Sequence, residues 1–209
     1  EQSSSGQSLV NMMDLDLLVG SGGVLSHAPR RQQSARMLID AFMPEGITQL
    51  AVDSIFMMPQ LGVLANIDKK ELKDDASQAA LEVFDNDCLI RLGTCITPVG
   101  KVKPKSKMAQ VSLTFKDGST KEIEILEGSL EMLEVPYEEV NINIIPSRGV
   151  DVGAGKGEPL ESVIFGGVVG LIFDGRNRPI TLSTDPSQRI DSLLNWSNAV
   201  DEYPKGDLF

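Results

Sequence analysis

The sequence predicts an α/β half followed by a smaller β-rich half, and three observations support this prediction. The first half alternates short apolar runs with stretches of helical periodicity, which is the pattern of strands covered by helices. The second half contains short alternating runs separated by turn residues, which is typical of a small barrel or sandwich. A lysine-rich stretch with one proline, residues 101–107, separates the two patterns. We therefore predict an α/β unit over residues 1–100 and a β-rich unit with a C-terminal helix over residues 104–209.

The elements of the first half follow in order along the chain. Residues 15–19 form a short apolar run that stops at Gly20, as expected of a buried strand. Helical spacing of apolar residues, ended by a Pro-Glu-Gly sequence, predicts the next element as a helix. The elements predicted after the first strand are a helix over 32–43, a strand over 47–53, a helix over 78–84 and an apolar strand over 88–96. This order indicates a parallel or mixed sheet.

The second half shows a strong hairpin signal. Asp117-Gly118 lies between two alternating apolar runs, 111–115 and 123–125. Further strands are predicted over 140–145, 162–165, 168–173 and 179–182, with 174–178 as a tight turn and a docked helix over 188–200. We expect the apolar run 163–173 to be buried from both sides, and Arg176 and Arg178 to lie outside that core.

Composition excludes several classes of function. The net charge is −11, which disfavours a nucleic-acid surface or an anionic membrane surface. One histidine and two cysteines are too few for a Cys/His zinc site, so no metal is predicted. The two cysteines, Cys88 and Cys95, are expected to be reduced and buried, which favours a cytoplasmic protein. The chain opens with Glu and a polar run over residues 1–6, so we expect a piece of a longer protein.

The most informative segment is the glycine turn, which consists of Gly20, Ser21, Gly22 and Gly23. A strand that runs into glycines allows a ligand to approach the backbone, and free N–H groups there can hold an anion or a ribose edge. The spacing is not that of the dinucleotide fingerprint. A tight strand-to-helix connection with no ligand explains the turn as well, and the sequence alone does not separate the two.

Basic residues follow this turn. His27, Arg30 and Arg31 could hold a phosphate, although capping the next helix or facing solvent explains them better. Asp53 ends an apolar strand, where α/β folds place residues that face a ligand, but a cap for the following turn explains it better.

Two further segments are interpreted as structural. Phe56 and the two methionines after it are predicted to fill the core. Residues 151–155 are similar to a phosphate-binding hairpin, but Pro146 shortly before them breaks the strand that such a hairpin needs. We therefore expect a solvent-facing loop there.

Three runs in the chain resemble the C-terminal half of the glutamate mutase L family. They are Leu18-Val-Gly-Ser-Gly-Gly-Val-Leu-Ser-His-Ala-Pro-Arg-Arg31, Met57-Met-Pro-Gln-Leu-Gly-Val-Leu64 and Val168-Val-Gly-Leu-Ile-Phe-Asp-Gly-Arg-Asn-Arg-Pro179. The first run also resembles the "adenosine" motif of the actin-like ATPase superfamily. The family consists of accessory proteins of the adenosylcobalamin-dependent glutamate mutase, which look like reactivating factors or chaperones.

The resemblance implies an α/β half-lobe of an actin-like ATPase fold that holds the adenosine side of ATP. The implied contacts are Gly20, Ser21, Gly22, Gly23, His27 and Arg30, and the implied partners are the upstream domain of the same parent protein and the mutase. The phosphate hairpins and metal-positioning acids of the superfamily lie mostly before the matching region. The resemblance therefore implies a weak, incomplete ATP site and no robust ATPase activity for this chain alone. The alternative is an interaction or structural module with no nucleotide site.

Overall fold

A computed structural model describes residues 10–66 and 74–204 as three stacked layers. Helices form one outer layer, a five-stranded mixed sheet lies in the middle, and a four-stranded antiparallel sheet forms the other outer layer. The strands are β1 (Leu17–Gly20), β2 (Gly46–Asp53), β3 (Leu89–Thr97), β4 (Lys107–Thr114), β5 (Thr120–Leu126), β6 (Leu130–Leu133), β7 (Glu139–Pro146), β8 (Leu160–Phe165) and β9 (Gly170–Asp174). The helices are α1 (Gly23–Ser26), α2 (Arg31–Phe42), α3 (Met58–Ala65), α4 (Asp74–Val83) and α5 (Pro186–Ala199).

The middle sheet has the strand order β1-β2-β3-β9-β6. Its pairs β1–β2 and β3–β9 are parallel, whereas β2–β3 and β9–β6 are antiparallel. A mixed sheet in the first half was one of the two forms that the sequence predicts. However, β6 and β9 come from beyond residue 104, so the predicted boundary at residues 100–104 does not divide one sheet from the other.

The outer sheet has the order β5-β4-β7-β8, and β4 and β5 form the hairpin predicted around Asp117-Gly118. One face of this sheet packs on the middle sheet. The shared core includes Val111 and Ile144 from the outer sheet and Ile96 and Phe173 from the middle sheet. Among the described residues the strands form two packed sheets and no barrel, so the barrel alternative for the second half is wrong.

The helices α2 and α5 cover the opposite face of the middle sheet. Leu38 and Ile39 of α2 pack against Leu50 and Leu92 of the sheet. Trp196 of α5 packs at the edge of the same cluster. Both helices lie close to their predicted bounds, because each carries apolar residues at helical spacing along one side. No helix among the residues described here is long and apolar enough to cross a bilayer.

The segment after β9 differs from the prediction of an exposed tight turn. Asp174 and Arg176 are buried, and the Arg176 guanidinium folds back onto the Asp174 carboxylate. Burial of the charge is possible because each ion has the other as its partner. Arg178 donates to the same carboxylate, so neither arginine lies outside the core as predicted.

Three smaller corrections follow from the strands and loops. Residues 179–182 are irregular and do not form the predicted strand. The run 163–173 is not buried throughout, because Val163 and Val168 are exposed on its outer side. The loop 151–155 does not simply face solvent, since Val152 is buried and Asp151 pairs with Val99. The predicted polar opening at residues 1–6 lies outside the described residues.

Candidate functional site

The structure explains the glycine at two of the three glycine positions of the turn. A Cβ on Gly20 would lie 2.7 Å from Leu25 Cδ1 and 2.9 Å from Leu38 Cδ2, so a larger residue there would force these two leucine side chains to shift. Gly22 has a φ of 112°, which L side chains rarely adopt. Gly23 has neither restriction, because no atom lies within 4 Å of its ideal Cβ position. The side of the turn at Gly22 and Gly23 is therefore open space.

Asp53 connects the glycine turn to the loop that follows β2. The strands β1 and β2 are parallel, with Gly20 opposite Val52, so their carboxyl ends meet at one edge of the sheet. The Asp53 side chain is fully buried, and the Ser21 hydroxyl lies 3.4 Å from its Oδ2. Its two carboxylate oxygens also accept the main-chain N–H groups of Met57 and Met58, at 3.2 and 3.0 Å. Asp53 thus caps the start of α3 and also contacts the turn.

A further hydrogen bond links the segment after the glycine turn to the end of β2. The Ser26 hydroxyl donates to the Asp53 carbonyl oxygen at 2.6 Å. Arg31 donates from Nη1 to the Ser26 carbonyl at 2.9 Å, so it caps the end of α1, whereas the sequence interpretation was a cap for the next helix. The turn and the β2–α3 loop are therefore held in a defined relative position.

His27 and Arg30 occupy different environments beside the turn. His27 is exposed, and its ring lies 5.8 Å from the Phe56 ring at an angle of 65°. Arg30 lies at the start of α2, where its main-chain N–H donates to Gln33 Oε1 and its carbonyl accepts from the Gln33 N–H. The described contacts of Arg30 are made by its main chain. The structure thus brings Gly20, Ser21, Gly22, Gly23 and His27 to one sheet edge, and it places Arg30 at the adjacent helix start.

The prediction that Phe56 and the following methionines fill the core is wrong for Phe56 and Met58. Phe56 is 37% exposed and Met58 is 38% exposed. The helix α3, which the sequence analysis missed, has no buried residue. The apolar character of the segment suggested burial, but the Asp53 cap turns the chain outward at this point.

This edge of the sheet carries polar groups at the carboxyl ends of β1 and β2. Its polar groups are main-chain N–H groups, the Ser21 hydroxyl and a carboxylate that already accepts two N–H groups. Within residues 10–66 and 74–204, no group of three or more His, Cys, Asp or Glu side chains is placed to hold a metal ion.

Comparison with known families bears on the same segment. The family model described as MutL protein, the glutamate mutase L family, matches residues 2–83. The match contains the glycine turn, Asp53 and α3, and it includes two of the three runs that resemble glutamate mutase L. The third run, residues 168–179, lies outside it. No curated protein and no solved structure matches the chain.

Proposed function

We propose that this chain is the C-terminal portion of a glutamate mutase L-like accessory protein, and that its glycine turn holds the adenosine side of ATP. The MutL match over residues 2–83 supports the family part of the proposal. In this proposal the parent belongs to the actin-like ATPase superfamily and works in the cytoplasm as an ATP-linked reactivating factor for an adenosylcobalamin-dependent mutase. Upstream parts of the parent would hold the phosphates and their metal ion.

The observation that carries the nucleotide proposal is the open space at Gly23. A strand-to-helix connection without a ligand needs Gly20 for packing and Gly22 for its dihedral angle, but it has no need of a glycine at position 23. Absence of a side chain there leaves the main chain accessible to a ribose or a base. Ser21 within the turn and His27, four residues after Gly23, add a hydroxyl and an imidazole to the same sheet edge. Such a half-site binds nucleotide weakly, because it lacks a full set of phosphate ligands.

ATP titration followed by backbone amide shifts tests this proposal. We expect Gly20, Ser21, Gly22 and Gly23 to shift before any residue of the β4–β5 hairpin. Gly23→Ala should weaken binding while leaving the melting temperature nearly unchanged, because an added methyl group meets no protein atom. Gly62→Ala is the matched control, since its Cβ would also lie in open space. An absence of shifts at millimolar ATP, or equal affinity in Gly23→Ala, would contradict the nucleotide site.

The mutase part of the proposal needs a separate measurement. In this proposal the β-rich half, which includes the outer sheet β5-β4-β7-β8, contacts the mutase. We expect the chain to capture a purified adenosylcobalamin-dependent glutamate mutase in a pull-down assay. Capture without any ATP binding would favour the alternative, an interaction module with no nucleotide site. If the chain binds ATP but does not capture the mutase, the proposal that this part of the parent contacts the mutase is contradicted.

A further inference from the structure

Phe56 has an unusual backbone conformation for a bulky residue. Its φ is 60°, in the left-handed region that favours glycine and asparagine. Such conformations cost free energy and persist where the surrounding structure determines them, often at ligand sites. Both flanks of Phe56 are fixed in this way: Ser54 bonds to the Cys88 carbonyl through its N–H and its hydroxyl, and the Met57 N–H bonds to Asp53.

Phe56 is only partly buried. More than a third of it is exposed, and the neighbouring Ile55 is 55% exposed. The aromatic contact of the ring is with His27, with the two ring centroids 5.8 Å apart and the ring planes at 65°. A strained backbone that leaves more than a third of an aromatic residue exposed forgoes part of the buried area through which such a side chain normally stabilises a fold.

The ring also belongs to the same sheet edge as the glycine turn. Ser21 and Ser26 contact Asp53, three residues before Phe56, and His27 follows the turn directly. An exposed aromatic ring beside an open glycine turn has the form of a stacking surface. Every nucleobase has a flat face that can stack on such a ring.

We propose that Phe56 is the base-stacking residue of this site, with His27 supporting its edge, and that it recognises the purine ring of the bound nucleotide. This inference rests on the proposed nucleotide function and adds to it a residue that acts on the base and not on the phosphates. It therefore predicts that Phe56 affects adenosine and ATP equally.

The experiment compares Phe56→Leu, Phe56→Trp and the unmodified 209-residue chain, with ATP and adenosine as probes. We expect Phe56→Leu to weaken the binding of ATP and of adenosine by about tenfold each, as loss of one stacked base implies. Phe56→Trp should retain the affinity for adenosine. Phe42→Leu is the matched control, because Phe42 is 49% exposed at the far end of α2.

The outcomes separate this inference from the proposed function. Equal adenosine affinity in Phe56→Leu and the unmodified chain would overturn the stacking role and leave the nucleotide site standing. A loss of affinity for ATP with no loss of affinity for adenosine would also overturn it. If the unmodified chain binds neither ATP nor adenosine, the proposed function fails and this inference fails with it. Dispersed amide spectra for each variant confirm that the fold is retained.

Discussion

Replacing Asp174 with asparagine should destabilise the protein, because Asp174 is the buried partner of two arginines. Its Oδ1 accepts from Arg176 Nε at 2.9 Å and from the Arg176 main-chain N–H at 2.9 Å. Its Oδ2 accepts from Arg176 Nη2 at 2.8 Å and from Arg178 Nη2 at 2.9 Å. Removing one member of a buried ion pair typically costs about 3–5 kcal/mol, since the remaining charge loses its partner.

The surroundings of the arginines place the expected loss at the lower end of that range. Arg176 Nη1 lies 2.8 Å from Asp40 Oδ1 on α2, and the guanidinium lies over the Trp196 ring of α5. Arg178 also donates to the Pro44 and Arg176 carbonyls. These contacts remain in the variant and compensate part of the lost charge. We therefore expect a loss of about 3 kcal/mol, equivalent to about 6–12 °C in melting temperature for a chain of this size.

Urea unfolding at neutral pH measures this difference directly. Asp191→Asn is the matched control, because Asp191 is exposed on α5 and should change the free energy of unfolding by less than about 0.5 kcal/mol. If Asp174→Asn is as stable as Asp191→Asn, the buried carboxylate contributes no net stability through its pairing with Arg176 and Arg178.

The pH dependence gives a second test of the same residue. Burial by itself would raise the pKa of Asp174, but hydrogen bonds and positive charge from Arg176 and Arg178 outweigh burial and lower it below the ordinary 3.8. A lowered pKa means that the native state binds the proton less readily than the unfolded chain does. The carboxylate contribution is therefore complete above the unfolded pKa and is lost as the pH falls through the folded one. The gap between the native protein and Asp174→Asn should stay constant from pH 6 to pH 8 and shrink only below about pH 4.

Three further predictions follow from burial and backbone geometry. Val169→Asp should unfold the protein, as measured by circular dichroism, because an unpaired charge would replace a buried side chain. The neighbouring Val168→Asp should fold normally, because Val168 is 59% exposed. Gly93→Ala should destabilise by more than about 3 kcal/mol in urea, because its Cβ would lie 1.8 Å from the Gly170 carbonyl oxygen across the β3–β9 pair. Cys95 should resist iodoacetamide at pH 8 until urea unfolds the chain, because burial and the nearby Asp174 charge raise its pKa to about 12.

Local signals predicted several of the elements, whereas long-range contacts account for the errors in sheet topology and in the burial of the arginines. The β4–β5 hairpin follows from Asp117-Gly118 between alternating runs, and α2 follows from apolar spacing ended by a Pro-Glu-Gly sequence. The pairing of β9 with β3 joins residues more than 70 positions apart, so it cannot be predicted from a local sequence pattern. The same pairing explains why Arg176 is buried. Its partner Asp174 is the last residue of β9 in the middle sheet. From the sequence alone, Arg176 is predicted to be a charged residue in a turn.

The candidate site, too, could be predicted from the local sequence only in part. The glycine turn was recognisable because a strand runs into three glycines within four residues. The sequence could not show which of these glycines serves the fold and which serves a ligand. Close packing, a positive φ and ligand access all favour glycine. The structure separates them: Gly20 contacts Leu25, Gly22 has a positive φ, and Gly23 has neither restriction. A connection that served only the fold would need two of the three, so the substitution that distinguishes a binding turn from a structural one is at Gly23.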